Sequence, residues 1–184
     1  RWALRRSGEV DLDRPRLVEF LDEEFILPNL EAADKWEALE KLVDFYALTH
    51  KVSDAEKRHV LETVIEREKE GSTGIGKGAA IPHGRADSGD AIGGVMALCP
   101  TGVEFDAYDG EAVRVLMLIV TPKEHEQRHL EVLASMSMMM SNEQIRSRLI
   151  SAIDANDAWE VVESEESRTF NYFLEMDDDD VVEG

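Results

Sequence analysis

The run Val113-Arg114-Val115-Leu116-Met117-Leu118-Ile119-Val120 carries one polar residue in eight. Val, Ile and Leu at consecutive positions, not at every second one, mark a strand buried on both faces. Such a strand sits inside a sheet and needs helices above and below to cover it. The flanking sequence supplies them. Asp34 to His50 sets Trp36, Leu39, Leu42, Val43, Tyr46 and Ala47 at helical spacing. Ser53-Asp54-Ala55-Glu56 reads as a capping box opening a second helix, with Val60, Leu61, Val64 and Ile65 on its buried face. His125 to Met140, Asn142 to Ile153 and Ala155 to Glu163 give three more helices, the first behind Pro122. Ile92 to Leu98 is a second apolar strand; Phe25-Ile26-Leu27 and Ala79-Ala80-Ile81 are shorter candidates. Residues 16–24 read as a short helix with Leu17, Phe20 and Leu21 on one face. The order β-α-α-β-β-β-α-α-α predicts an α/β layered domain around a small mixed sheet. Met136, Met138, Met139 and Met140 read as core filling, with an adaptable partner surface as the alternative.

Charge limits the partners. Forty acidic residues against twenty basic give a formal net charge of −20. Nucleic acid and anionic lipid both need a net positive footprint, so neither is expected as the main partner. Residues 154–184 hold twelve acids and Arg168, a net of −11. The run Asp177-Asp178-Asp179-Asp180 reads as a solvated acidic tail, since adjacent aspartates converge on a cation only if the chain folds around it. Three regions are expected: an N-terminal arm over 1–19, a folded domain over 20–164 and an acidic tail over 165–184. Phe170, Tyr172, Phe173 and Leu174 could dock on the domain. The chain starts at Arg1 without a methionine, so the arm also reads as the end of a truncated upstream region. Cys99 is the one cysteine, which excludes an internal disulfide framework and a Cys-based zinc site. With no 18-residue apolar stretch and no secretion signal, the expected location is the cytoplasm, without membrane insertion.

Two segments carry chemistry. The first is Gly71-Ser72-Thr73-Gly74-Ile75-Gly76-Lys77-Gly78, running on through Ala79-Ala80-Ile81-Pro82-His83-Gly84-Arg85. Its glycines let backbone amides approach an anion, and two hydroxyls and two cations lie in the same stretch. It is not a Walker loop, because Gly and not Ser or Thr follows Lys77. His83 stands at the end of a short strand, where side chains line clefts. The second segment, His125-Glu126-Gln127-Arg128-His129, matches the zinc-peptidase pattern His-Glu-x-x-His. It lies at a helix start, holds a charged Arg128, and has only distant acids such as Glu143 or Asp154 as third ligand. Phe105 to Gly110 reads as a turn between strands, signalled by Asp109-Gly110.

Arg67-Glu68-Lys69, Gly71 to Gly78, Ala80-Ile81-Pro82-His83-Gly84, Val103-Glu104-Phe105-Asp106 with Asp109-Gly110, and His129-Leu130 with Leu133-Ala134 occur in that order. Together they resemble the EIIA domain of the bacterial phosphoenolpyruvate-dependent sugar phosphotransferase system, of mannitol/fructose type and closest to its nitrogen-regulatory branch. The resemblance spans about residues 20–163. It implies a three-layer α/β/α sandwich and a phosphoryl carrier. His83 would accept a phosphoryl group from the histidine-containing phosphocarrier protein, with His129 holding it and Arg67 stabilising charge. Ser72, Thr73, Gly74 and Gly84 would line the phosphoryl loop. The group would pass to an EIIB domain, or its presence would be read by a regulatory target protein. No cofactor or metal is implied, since the N–P bond stays reactive. A regulatory binding module on the same fold, never phosphorylated, and a zinc peptidase are the alternatives.

Overall fold

The computed structural model describes residues 16–166. The acidic run 177–180 and the aromatic cluster at 170–174 lie outside those residues. Six strands and five helices follow in chain order: β1 (Ile26–Leu27), α1 (Lys35–His50), α2 (Asp54–Glu70), β2 (Gly74–Gly76), β3 (Ala79–Ala80), β4 (His83–Ala86), β5 (Gly93–Val103), β6 (Val113–Pro122), α3 (Glu126–Ser141), α4 (Glu143–Ser151) and α5 (155–166). Residues 16–24 form no regular helix. They hold the 3-10 turn Leu17–Glu19, and a second, Glu23–Phe25, leads into β1.

The apolar run forms the sheet's centre. β6 pairs antiparallel with β5 on one side and parallel with β3 and β4 on the other. β1 adds to β5 in parallel and β2 to β3 antiparallel, so the sheet is mixed. Consecutive residues of β6 point to opposite faces, each covered by helices. Leu116 and Leu118 pack with α1 and α2, beside Leu39, Leu42, Val43, Val60 and Val64. Val115, Met117 and Ile119 pack on the other face with Val132, Met136, Met140, Leu149 and Val162. This is a three-layer α/β/α sandwich. Met136 and Met140 are core, whereas Met138 is exposed.

β3 and β4 are one strand path along β6, interrupted at Ile81–Pro82. Proline has no N–H to offer a neighbour, yet its carbonyl accepts from Ile119 N–H at 3.1 Å, so pairing resumes beyond it. His83 therefore opens a second strand, and the expectation that it ends one is corrected.

Helix starts follow their caps. Asp34 accepts N–H bonds from Trp36 and Glu37, and Ser53 accepts from Glu56. The capping box is only half made, because the Glu56 carboxylate turns away to accept the Asp87 N–H at 3.0 Å. At the other end, the Glu166 carboxylate accepts the Leu17 N–H, and Leu17 is buried. Residues 16–19 and 165–166 are thus packed on each other.

Candidate functional site

The site begins with how closely α2 lies on β4. A Cβ on Gly84 would fall 2.6 Å from Val64 Cγ2 and 2.7 Å from Thr63 Oγ1. Only glycine lets the helix settle there. Thr63 Oγ1 also accepts the Arg85 N–H at 2.9 Å, which fixes the helix to the strand. Gly84 thus works on the helix side of β4. Alternation along the strand sends His83 and Arg85 to its other side.

The approach brings the last turn of α2 against His83. Arg67 Nε donates to His83 Nε2 at 3.1 Å, while Arg67 Nη1 donates to the Gly71 carbonyl at 2.8 Å. His83 Nδ1 lies 2.9 Å from the Ile81 carbonyl oxygen, which can only accept. Nδ1 therefore carries the ring proton and Nε2 the lone pair. Both bonds give the same tautomer. Burial pushes the His83 pKa below its ordinary value, with the charges of Arg67 and Arg85 adding to it; the Ile81 carbonyl and Glu68 work against them. The ring is held neutral, as a nucleophile must be.

His129 enters from the first turn of α3, and its ring centroid lies 5.4 Å from that of His83. It is 6% exposed. Its Nδ1 sits 3.1 Å from the Oγ1 of the buried Thr121. Its pKa is pushed down to about 4, first by burial and then by the charges of Arg85 and His83, with Glu126 opposing. His125 is not its metal-binding mate. It caps α3 from outside the helix, and Glu126 is taken up by an ion pair with Arg85. Among the described residues, no group of three His, Cys, Asp or Glu is placed to hold a metal ion.

The loop hydroxyls do something other than expected. Ser72 Oγ donates to the Phe105 carbonyl at 2.5 Å and accepts the Gly74 N–H at 3.1 Å. Thr73 Oγ1 donates to Glu68 Oε2 at 2.5 Å, and the Thr73 N–H reaches both Glu68 oxygens. Ser72 and Thr73 therefore shape the loop, and these bonds engage the protons an anion would need. Glu68 is 2% exposed and faces Lys35, which also pairs with Asp106 at 2.7 Å. The turn Phe105 to Gly110 thus braces the loop from the far side.

Glu68 and Arg85 were not expected at the site. Glu68 extends the stripe Val60, Val64 by one further step of four, a carboxylate on an apolar face. Arg85 lies two residues beyond His83 on the same strand face, a signal readable only once β4 is known to be a strand. In register, Arg85 lies opposite Thr121, the residue that holds His129.

The arrangement offers a neutral imidazole with a directed lone pair, a second imidazole and two guanidinium groups. Such a cluster suits transfer of a dianionic group by positioning and charge stabilisation. Comparison with known proteins points the same way. Residues 19–165 match the family described as phosphoenolpyruvate-dependent sugar phosphotransferase system, EIIA 2. A nitrogen regulatory protein of Bradyrhizobium diazoefficiens is 30% identical over 146 residues, covering 79% of this chain and 94% of that protein. The crystal structure of nitrogen regulatory protein IIA-Ntr from Neisseria meningitidis superposes with a TM-score of 0.70 at 30% identity, over 78% of this chain and 97% of that one. The mannitol enzyme IIA of Escherichia coli, solved in complex with phosphorylated enzyme IIB, shares the fold at a TM-score of 0.65 and 22% identity, over 78% and 97%.

Proposed function

The chain belongs to the EIIA 2 family of the phosphoenolpyruvate-dependent sugar phosphotransferase system, and from that premise we propose that His83 Nε2 is its phosphoryl acceptor. The observation that carries the reading is the tautomer. Nδ1–H is tied to the Ile81 carbonyl, and the Nε2 lone pair is held only by an exchangeable bond from Arg67. The donor is the histidine-containing phosphocarrier protein. Nε2 attacks the phosphorus, and the N–P bond of the donor breaks with its electron pair returning to the donor ring. The Nδ1 proton stays with the Ile81 carbonyl, so no base is needed. Arg67 Nε–H moves from Nε2 to a phosphoryl oxygen. Thr121 Oγ–H donates to His129 Nδ1, which leaves an Nε2–H on His129 to hold the phosphoryl group. A loose, largely dissociative transition state asks for little beyond this.

The group then passes to an EIIB domain, or its presence is read by a regulatory target protein in the cytoplasm. The regulatory reading is favoured by the relatives named nitrogen regulatory protein; the transfer reading by the likeness to an enzyme IIA solved with phosphorylated enzyme IIB. Among the described residues no helix is long and apolar enough to cross a membrane.

Intact-mass analysis after incubation with phosphoenolpyruvate, enzyme I and the phosphocarrier protein tests the proposal. Wild type gains one acid-labile phosphoryl group and His83→Ala gains none. Equal labelling of His83→Ala refutes the assignment. No labelling of wild type leaves the fold as a binding module that works through its partners.

A further inference from the structure

One buried polar atom in the described structure has no partner, and it lies beside the two histidines. Arg85 Nη1 is fully enclosed and makes no hydrogen bond among the described residues. A buried N–H without an acceptor is unfavourable, more so on a charged group. The rest of the side chain explains why it stays. Arg85 Nη2 is fixed by the Glu126 carboxylate on the first turn of α3, one helical turn before His129. The backbone is held by Thr63 Oγ1 and by pairing with Thr121. The guanidinium cannot swing into solvent without giving up that ion pair.

We propose that Arg85 is a second cation of the phosphoryl site, and that its Nη1–H donates to a phosphoryl oxygen once His83 carries the group. The inference rests on the reading of His83 as acceptor and extends it. Three observations place Arg85 there. It shares the strand face of His83 at the next alternating position. Its strand partner is the threonine that holds His129. Its anchor, Glu126, leaves one terminal nitrogen uncommitted. Before phosphorylation, Arg67 and Arg85 face neutral rings, so two positive charges crowd an uncharged centre. A dianion there relieves that repulsion and gives the orphaned donor an acceptor. On a chain of net charge −20 this local cluster also offsets a repulsive remote field. Glu126 thus has a use in the His-Glu-x-x-His pattern unrelated to metal: it holds the arginine in place.

The test compares wild type, Arg85→Lys, Arg85→Met and Arg85→Gln for the rate of labelling by the phosphocarrier system and for the lifetime of the phosphohistidine. Removing one buried donor to a developing oxyanion typically slows a reaction by about 10²–10³, and the partly open side chain here sets an expectation of roughly tenfold to a hundredfold. Arg85→Met should be slowed by that factor and Arg85→Lys should recover much of the rate. Circular dichroism checks the fold, and Arg85→Gln substitutes if Arg85→Met unfolds. A folded, uncharged variant labelled at the wild-type rate and with the wild-type lifetime overturns the role of Arg85 and leaves His83 as acceptor. Wild type that takes no label overturns both.

Discussion

Glu68→Ala should cost this domain about 3–4 kcal/mol. The carboxylate is 2% exposed and accepts two hydrogen bonds from the Thr73 amide and one from its hydroxyl. Truncation strands both donors in a residue that is itself only 6% exposed. Each buried donor left without a partner costs about 1–3 kcal/mol, so the pair costs roughly 2–6. Lys35 moderates the loss, because it keeps its ion pair with Asp106. Removing one partner of a buried ion pair typically costs about 3–5 kcal/mol, which brackets the same figure from another direction. Glu68→Gln keeps the shape and surrenders only the charge, so it should lose about 1–2 kcal/mol. Urea unfolding followed by circular dichroism measures both, with an unchanged slope showing that the transition stays two-state. Phosphoryl acceptance should slow in step, since Glu68 sits between Arg67 and the Thr73–Gly74 turn. A loss below about 1 kcal/mol for Glu68→Ala would refute the view that this carboxylate is what holds the loop.

Two further outcomes follow from the geometry. Gly84→Ala drives a methyl into Val64 Cγ2 and Thr63 Oγ1 and should destabilise by about 1–3 kcal/mol in urea; a neutral result would mean that α2 does not lie on β4 as described. His129 has a folded-state pKa of about 4, below its ordinary value, so the unfolded chain takes up the proton first and stability falls as pH drops from about 6.5 toward 4. Between pH 7 and 4.5 that one group should remove about 2 kcal/mol. The difference in unfolding free energy between wild type and His129→Gln, read at both pH values, isolates it from the carboxylates. A difference that does not change with pH would contradict a buried, neutral His129.

Much of the frame could be read from residue patterns alone. Val113 to Val120 announced a doubly covered strand, because no other placement buries so many adjacent apolar side chains. The starts at Asp34 and Ser53 were legible because capping is local. β4 was not legible. Its four residues include a glycine and follow a proline, so nothing local favours a strand; pairing with β6 makes it one. The same distance in sequence hid the loop chemistry. Ser72 and Thr73 read as anion donors because their partners, the Phe105 carbonyl and Glu68, appear only after folding. Gly84 read as a phosphate-loop glycine, whereas its lack of a side chain is required by α2. Arg67, His83 and His129 came from motif resemblance, and the fold brings them together. Arg85 needed both the strand and the ion pair to Glu126 to be seen.

The central claim is that the lone pair of His83 Nε2 takes the phosphoryl group while Nδ1 keeps its proton against the Ile81 carbonyl. Phosphorylating 15N-histidine-labelled protein and recording long-range 1H–15N spectra of the imidazole rings measures this directly. Phosphorus attached to Nε2 of His83, with Nδ1 protonated, is the predicted result. Attachment at Nδ1, or at His129, would contradict it.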